Sequence, residues 1–366
     1  LERGLFNHLP LALAFMVHKG LLIGTGVLGS YLICRSLDAD RLFSLAIAAI
    51  CSVAYLFTTL VTVQPGIGGG LVPLGIWLIF FRTGKVGYWI SIIIFALIFS
   101  SSTAPLHVGF ALGLAIVATA LATDFRTLPR GLLAFFIIMG ITGINWIEAL
   151  HGWLLIAPET FRAKYFFTEH RGDFQIVREL RNVFEAILIG GISIAFFCWA
   201  TFRGAVSSIT AFCLAIFLPW AAMNLPWSAL DLGTLHGVNF FYSYGSLPVL
   251  ASVIAGLAWS RLSIIRRQWF TATIVALALG KLISSNIYEM AVWLNQGGQQ
   301  IMAARPELAN RSWPDKHEAR VVSVPYRLSL GLSAASGLHS YDGCANLLLS
   351  NYADFWTYGI RKGEGE

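Results

Sequence analysis

The sequence predicts an all-α polytopic membrane protein with about ten transmembrane helices and a small extracytoplasmic α/β C-terminal tail. Of 366 residues, 57% are hydrophobic and only 12% are charged, whereas about 25% of residues are charged in soluble globular domains. Apolar runs of the roughly 20 residues that cross a bilayer as a helix recur along most of the chain. The uneven distribution of basic residues among the loops is a third observation that favours this class.

The apolar runs predict a transmembrane domain over residues 1–286, followed by the tail at 287–366. The third and fourth runs are short, which is typical of spans that are tilted, broken or partly re-entrant. The spans are predicted at about residues 9–34, 42–63, 69–81, 86–100, 107–122, 131–149, 182–202, 204–221, 238–260 and 268–286.

Basic residues are concentrated in the loops on one side of a ten-span chain. The short loops on the other side, "VQPGIG", "SSSTAPLH" and "AAMNLPWSALDLGTLHG", contain no Lys or Arg. Because cytoplasmic loops are enriched in Lys and Arg, we expect the visible N-terminus and the C-terminal tail to be extracytoplasmic. The basic loops contain Arg35, Arg41, Arg82, Lys85, Arg126, Arg130, Arg203, Arg261, Arg266 and Arg267.

The chain has a net charge of +6, and its basic residues are scattered through short loops and form no dense patch. This distribution argues against nucleic acid as a partner, and membrane lipid is the expected one. The five cysteines predict no disulfide framework, since four lie in or beside apolar runs. The first ten residues lack the features of a signal peptide, and we expect further sequence before Leu1.

The long connection at about residues 150–181 carries basic residues on the outer side. We interpret it as one or two helices lying in the outer interface, with an ordinary connecting loop as the alternative. Its motif "TEHRGDF" offers Glu169, His170 and Arg171. Arg matches phosphate with a planar fork of donors, and a neighbouring carboxylate or imidazole can move a proton. A solvated, self-neutralising charge cluster is the other interpretation.

Under this topology, all eight histidines fall in the outer half of the membrane or outside it. Glu148 precedes His151 near one span end, and Asp231 precedes His236 in the loop before the ninth span. Such acid and base pairs indicate an outward-facing polar site, because ionisable groups near membrane depth are costly unless they line a cavity or reach the interface. Anchoring in an aromatic belt is the alternative for the second pair.

The segment "SGLHSYDGCANLLLSNYADFW", residues 336–356, ends the chain with polar residues among apolar ones. Its elements resemble the extracytoplasmic end of little-characterised bacterial multispanning proteins that are similar to the GT-C glycosyltransferase superfamily. Tyr341 and Asp342 lie within it; they are interpreted as closing the tail onto the helices or as contacting sugar. The pattern departs from the family at Cys344 and at the leucine run that follows.

The resemblance implies a bacterial inner-membrane location and transfer of sugar from a polyprenyl-phosphate carrier at the outer face. The family carries its catalytic acid just after the first span, and no residue of this chain matches that position, so no catalytic residue is assigned. No cofactor is identified, although a glycosyltransferase of this kind is compatible with a divalent metal ion. A non-catalytic subunit that binds other membrane subunits, and a transporter or lipid flippase, are the alternative interpretations.

Overall fold

The computed structural model describes a helical bundle and two short pieces of the tail. The described residues are 5, 8–9, 11–52, 67–82, 85–102, 105–147, 151, 184–225, 240–295, 320–321 and 339–340. In this part of the chain the α-helices are α1 (Leu11–Ser36), α2 (Arg41–Ser52), α3 (Ile67–Ile76), α4 (Lys85–Ser100), α5 (Pro105–Ala122), α6 (Leu128–Asn145), α7 (Phe184–Ala200), α8 (Phe202–Asn224), α9 (Ser246–Arg261) and α10 (Ile264–Asn295).

The predicted membrane class is confirmed at the level of helical composition and length. Four helical stretches are long and apolar enough to cross a membrane: Met16–Ser36, Phe125–Asn145, Gly204–Ala222 and Tyr242–Arg261. Five shorter apolar helices accompany them within the described residues. A helix overlaps every predicted span, but the number that crosses the membrane stays a prediction.

The exterior of the bundle is apolar, as a lipid environment requires. Ile90, Ile94 and Leu97 on α4 are each more than half exposed, and so are Leu133 and Phe136 on α6. An exposed apolar surface of this extent would be unfavourable in water. In a bilayer it contacts hydrocarbon, so these faces are assigned to lipid.

Short-range hydrogen bonds fix the turns between helices. Asp40 caps α2 by accepting the backbone N–H of Phe43 at 2.7 Å, and Asp124 accepts the N–H of Arg126 at 3.0 Å before α6. Both satisfy donors that a helix start leaves without an intrahelical partner. Asp38 adopts a φ of 63° in the α1–α2 turn, a left-handed conformation that Asp tolerates better than most residues.

Two helices lie inside the bundle and have little contact with its exterior. Helix α9 is buried along most of its length and packs against α7, α5, α1 and α2. Helix α3 is also buried, with α1 and α5 as its main neighbours. A helix that is apolar on all sides belongs in such a central position.

Glycine allows α3 to contact α1 backbone to backbone. A Cβ at Gly70 would lie 2.1 Å from the carbonyl oxygen of Leu22, and one at Gly29 would lie 2.3 Å from the backbone nitrogen of Leu74. Small residues at helix interfaces permit this approach in membranes, where packing replaces the hydrophobic effect as the driving force. The "GGG" of the sequence is therefore a packing surface.

Helix α3 changes geometry before it ends. Pro73 lies within it, and residues Trp77–Phe81 continue it as a π-helix. The backbone N–H of Arg82 closes this segment on the carbonyl of Trp77 at 3.1 Å, and the Trp77 indole donates to Ser36 Oγ at 3.1 Å. The third predicted span, expected to be tilted, broken or partly re-entrant, thus continues through this change of geometry to Phe81.

The tail is described at two places only. Residues Arg320–Val321 (β1) and His339–Ser340 (β2) pair in parallel, with Arg320 opposite His339. Two residues in each strand do not establish an α/β unit, so that part of the fold stays a prediction. Helix α10 continues to Asn295, beyond the predicted start of the tail at residue 287.

The first prediction concerns the glycine contact. Gly70→Ala should lower the free energy of unfolding by about 1–3 kcal/mol, because its methyl group would overlap a backbone oxygen that cannot move away cheaply. Thermal unfolding of the purified protein in mild detergent measures the loss.

Gly20→Ala is the matched control, since a Cβ at Gly20 in α1 meets no atom within 4 Å. Its stability should be unchanged or slightly higher, because Ala favours helix more than Gly does. Equal effects of the two substitutions would contradict the proposed contact.

Candidate functional site

The helix ends fall into two groups that lie at opposite ends of the bundle. We call one end the arginine face; it contains the connections at residues 35–41, 123–127 and 261–264, together with Arg82 at the end of α3 and the start of α4. Contacts join the helix ends at this face. The Trp77 indole donates to Ser36 Oγ, and the Arg130 guanidinium lies 3.9 Å from the centroid of the Tyr88 ring. The grouping agrees with the predicted alternation of the chain.

Two consecutive arginines at the start of α10 cap the ends of two other helices. Arg266 donates to the carbonyl of Trp199 at 3.1 Å and lies over its indole ring. Arg267 donates to the carbonyls of Trp259 and Ser260, each at 3.0 Å, and lies over the Trp259 ring. Cations at helix C-termini satisfy carbonyls without partners and interact favourably with the helix dipole. These arginines are therefore structural.

The opposite face has a different polar chemistry. At the end of α4, Asn145 donates to Ser100 Oγ and the Trp146 indole donates to the Ser100 carbonyl, both at 2.7 Å. These bonds fix the end of α6 beside the end of α4. Ser102 packs there against Gly68 at the start of α3, so three helices meet around hydroxyl and amide groups.

An ion pair joins α7 to α10 on this side of the bundle. Lys281 donates to a carboxylate oxygen of Glu185, and the two side chains are 28% and 22% exposed. Glu185 lies in the first turn of α7, where a negative charge is favoured by the helix dipole. A lysine at this depth in an apolar helix is costly alone, and the carboxylate offsets that cost.

His18 of α1 places an imidazole in the interior of the bundle. It is fully buried and shares a helix face with Ala14 and Leu22, which are also fully buried. Leu22 contacts Gly70 of α3, so this face is directed at α3. Lys19 is the next residue and is half-buried. Ionisable groups inside a membrane bundle usually mark functional sites.

Buried hydroxyl groups occupy the start of α9 at the same end of the bundle. Ser243 and Ser246 are 5% and 0% exposed, and Tyr244 between them is fully buried. They belong to a 3-10 helix, Phe240–Gly245, and to the first turn of α9. The predicted loop with Asp231 and His236 precedes them directly in the chain.

One residue of the predicted site lies within the described residues. His151 has helical backbone geometry and an exposed side chain, which is compatible with an interfacial position. The other predicted site residues, Glu148, Glu169, His170, Arg171, Asp231, His236, Tyr341 and Asp342, lie outside the described residues. The same is true of the predicted interfacial helices apart from His151.

In the part of the chain that the structure covers, no group of three His, Cys, Asp or Glu residues is close enough to hold a metal ion.

The sequence does not reveal the Glu185–Lys281 pair, because the two residues are 96 positions apart and no local pattern links them. His18 and Lys19 carry a clearer signal, because two ionisable residues interrupt an apolar run.

Neither the known protein families, nor the curated proteins, nor the solved structures contain a match to this chain. Its function is therefore inferred from its own residues and their arrangement.

The second prediction concerns the Glu185–Lys281 pair. Glu185→Gln should destabilise the protein by about 1–3 kcal/mol, because it leaves the lysine charge in an apolar setting. Lys281→Gln should act similarly. The double substitution should lower the free energy of unfolding by clearly less than the sum of the losses in the two single variants. A double-mutant cycle measured by thermal unfolding tests this.

Ser207→Ala in α8, a helix that packs against α7, is a control. Ser207 is exposed, and its hydroxyl bonds only within α8. Additive effects of the two charge substitutions would show that the pair does not stabilise the bundle.

Proposed function

We propose that the chain is a bacterial inner-membrane protein of ten spans that works at the face opposite the arginines. It transfers a sugar from a polyprenyl-phosphate carrier to an acceptor. In this reaction the bond between the anomeric carbon and the carrier phosphate breaks, and the acceptor oxygen forms the new bond to that carbon. The acceptor proton passes to a base, and polyprenyl phosphate leaves.

The observation that carries the proposal is the chemical difference between the two faces. The arginines of α10 bind helix ends and are not available for a substrate. The opposite end of the bundle carries the Glu185–Lys281 ion pair on α7 and α10 and, separately on α1, the buried imidazole of His18. Acid, base and phosphate-binding groups are what transfer from a sugar phosphate requires.

The predicted loops add to the same face. Under the ten-span topology, the motif with Glu169, His170 and Arg171 lies there, together with Glu148, Asp231 and His236. The tail with Tyr341 and Asp342 would cover it. The resemblance of this tail to the GT-C superfamily supports sugar transfer over other group transfers.

The bundle interior favours this function over transport. Along α9 from Val249 to Ala258, Ser252 is the one buried polar residue, and its hydroxyl donates to the Pro248 carbonyl of the same helix at 2.9 Å. The buried residues of α3 are Ile, Leu, Val, Gly and Pro. A transporter needs polar groups that line a path between the faces, and these two central helices provide none.

The third prediction tests the activity. The protein, expressed from its complete reading frame and reconstituted in proteoliposomes, should release polyprenyl phosphate from a radiolabelled polyprenyl-phosphate sugar. Arg171→Ala should lower the rate at least tenfold, because its guanidinium is proposed to bind the carrier phosphate. Arg178→Ala, which changes a basic residue of the same connection outside the motif, should leave the rate within twofold.

Absence of both binding and release for a panel of such donors would contradict the proposal. Co-purification at fixed stoichiometry with another membrane assembly would then favour the subunit interpretation. Substrate accumulation in vesicles that depends on this chain would favour transport.

The fourth prediction tests the topology. Ser312→Cys in a Cys344→Ser background should react with a membrane-impermeant thiol reagent in intact spheroplasts, because the ten-span arrangement places the tail outside. Among the described cysteines, Cys34 and Cys51 are buried, whereas Cys198 is half-buried and Cys213 is exposed, so labelling of the Cys344→Ser protein without Ser312→Cys gives the background. Labelling only after permeabilisation would reverse the assignment of both faces.

A further inference from the structure

The arginines on the arginine face differ in what they bind. Arg266 and Arg267 are engaged by carbonyl groups and indole rings at the ends of α7 and α9. A second set lies at the ends of α3, α4 and α6 and consists of Arg82, Arg126 and Arg130. We call this set the α4–α6 arginine cluster.

Two side chains of the cluster, those of Arg82 and Arg130, contact residues in the first turns of α4. The Arg82 guanidinium donates to Ser91 Oγ of α4. The Arg130 guanidinium lies over the Tyr88 ring, 3.9 Å from its centroid. Positions 88 and 91 lie on adjacent sides of a helix of 3.6 residues per turn, so both guanidinium groups border the same stretch of α4.

Packing between the helices keeps the two arginines near each other. Gly131 follows Arg130 and lies against the Phe80 ring. A Cβ at Gly131 would lie 3.2 Å from an atom of that ring. Phe80 is two residues before Arg82, in the π-helix that ends α3. Arg126 precedes α6 by two residues and has an exposed side chain.

The positive charge of the cluster is not balanced by any carboxylate among the described residues. In the described ranges, no carboxylate lies within ion-pair distance of these three arginines. The ion pair that the described residues do form joins Glu185 and Lys281, away from the cluster. Asp124, the acidic residue closest in sequence, uses its carboxylate to accept the backbone N–H of Arg126. The guanidinium groups therefore retain donors for an anion.

An apolar surface continues from the cluster along both helices. Ile90 and Ile94 of α4 are 55% and 53% exposed, and Leu133 and Phe136 of α6 are 52% and 67% exposed. These helices pack against each other. A ligand that fits must therefore combine an anionic head with apolar chains.

We propose that the α4–α6 arginine cluster binds the phosphate headgroup of an anionic phospholipid in the leaflet at the arginine face. Arg82 and Arg130 donate to the phosphate oxygens, with the planar fork that matches phosphate. Arg126 adds long-range attraction, and the acyl chains lie along the exposed residues of α4 and α6. Basic sites between transmembrane helices recognise anionic headgroups in this way.

The test measures lipid retained by the full chain, purified in mild detergent, by native mass spectrometry during titration with phosphatidylglycerol or phosphatidylcholine. The unaltered protein should retain phosphatidylglycerol at least tenfold more strongly than phosphatidylcholine. Arg82→Gln combined with Arg130→Gln should remove most of this preference. Arg126→Gln should weaken it about twofold to threefold without disturbing packing, since its side chain is exposed.

Arg261→Gln is the matched control, because Arg261 is an exposed arginine on the same face outside the cluster; it should leave the preference unchanged. Equal loss in this variant would overturn the proposal in favour of non-specific charge attraction. An unchanged preference in the Arg82 and Arg130 double variant would overturn it directly. Competition by inorganic phosphate or glycerol 3-phosphate at concentrations similar to the lipid would show a site for free phosphate and overturn the lipid assignment.

Discussion

The backbone contact between α1 and α3 is the constraint on which the bundle depends. Because Gly29 and Gly70 lack side chains, the two helices approach at distances that a single Cβ would prevent. This proximity allows α3 to be enclosed by α1, α4 and α5 and still extend to the arginine face. Without it, the other helices could not close around α3 as they do.

Hydropathy alone was sufficient to locate the helices, because lipid requires every backbone polar group to be satisfied within a helix. It could not predict the π-helix at Trp77–Phe81. The first residue of this segment, Trp77, donates a hydrogen bond to Ser36 of another helix. Hydropathy also could not pair Glu185 with Lys281, which tertiary packing alone brings together. Of the predicted site, only His151 lies among the described residues, since the rest belongs to loops and the tail.

The polar groups of the two faces have different physical roles. On the arginine face, the guanidinium groups of Arg266 and Arg267 bind helix-end carbonyls and lie over tryptophan rings, so their binding capacity is used within the fold. On the other face, Asn145 and Trp146 meet Ser100, and Glu185 meets Lys281. There, the Glu185 carboxylate offsets the cost of placing the Lys281 charge in an apolar setting.

The double cap made by Arg266 and Arg267 has a consequence for biogenesis. Helices α7 and α9 are synthesised before α10, so the carbonyls at their ends have no arginine partner until α10 has been made. Insertion of α10 supplies both caps at once, from neighbouring residues of one turn. Final consolidation of these two helix ends is thus coupled to synthesis of α10, and a nascent chain that stalls before residue 266 would leave both ends uncapped.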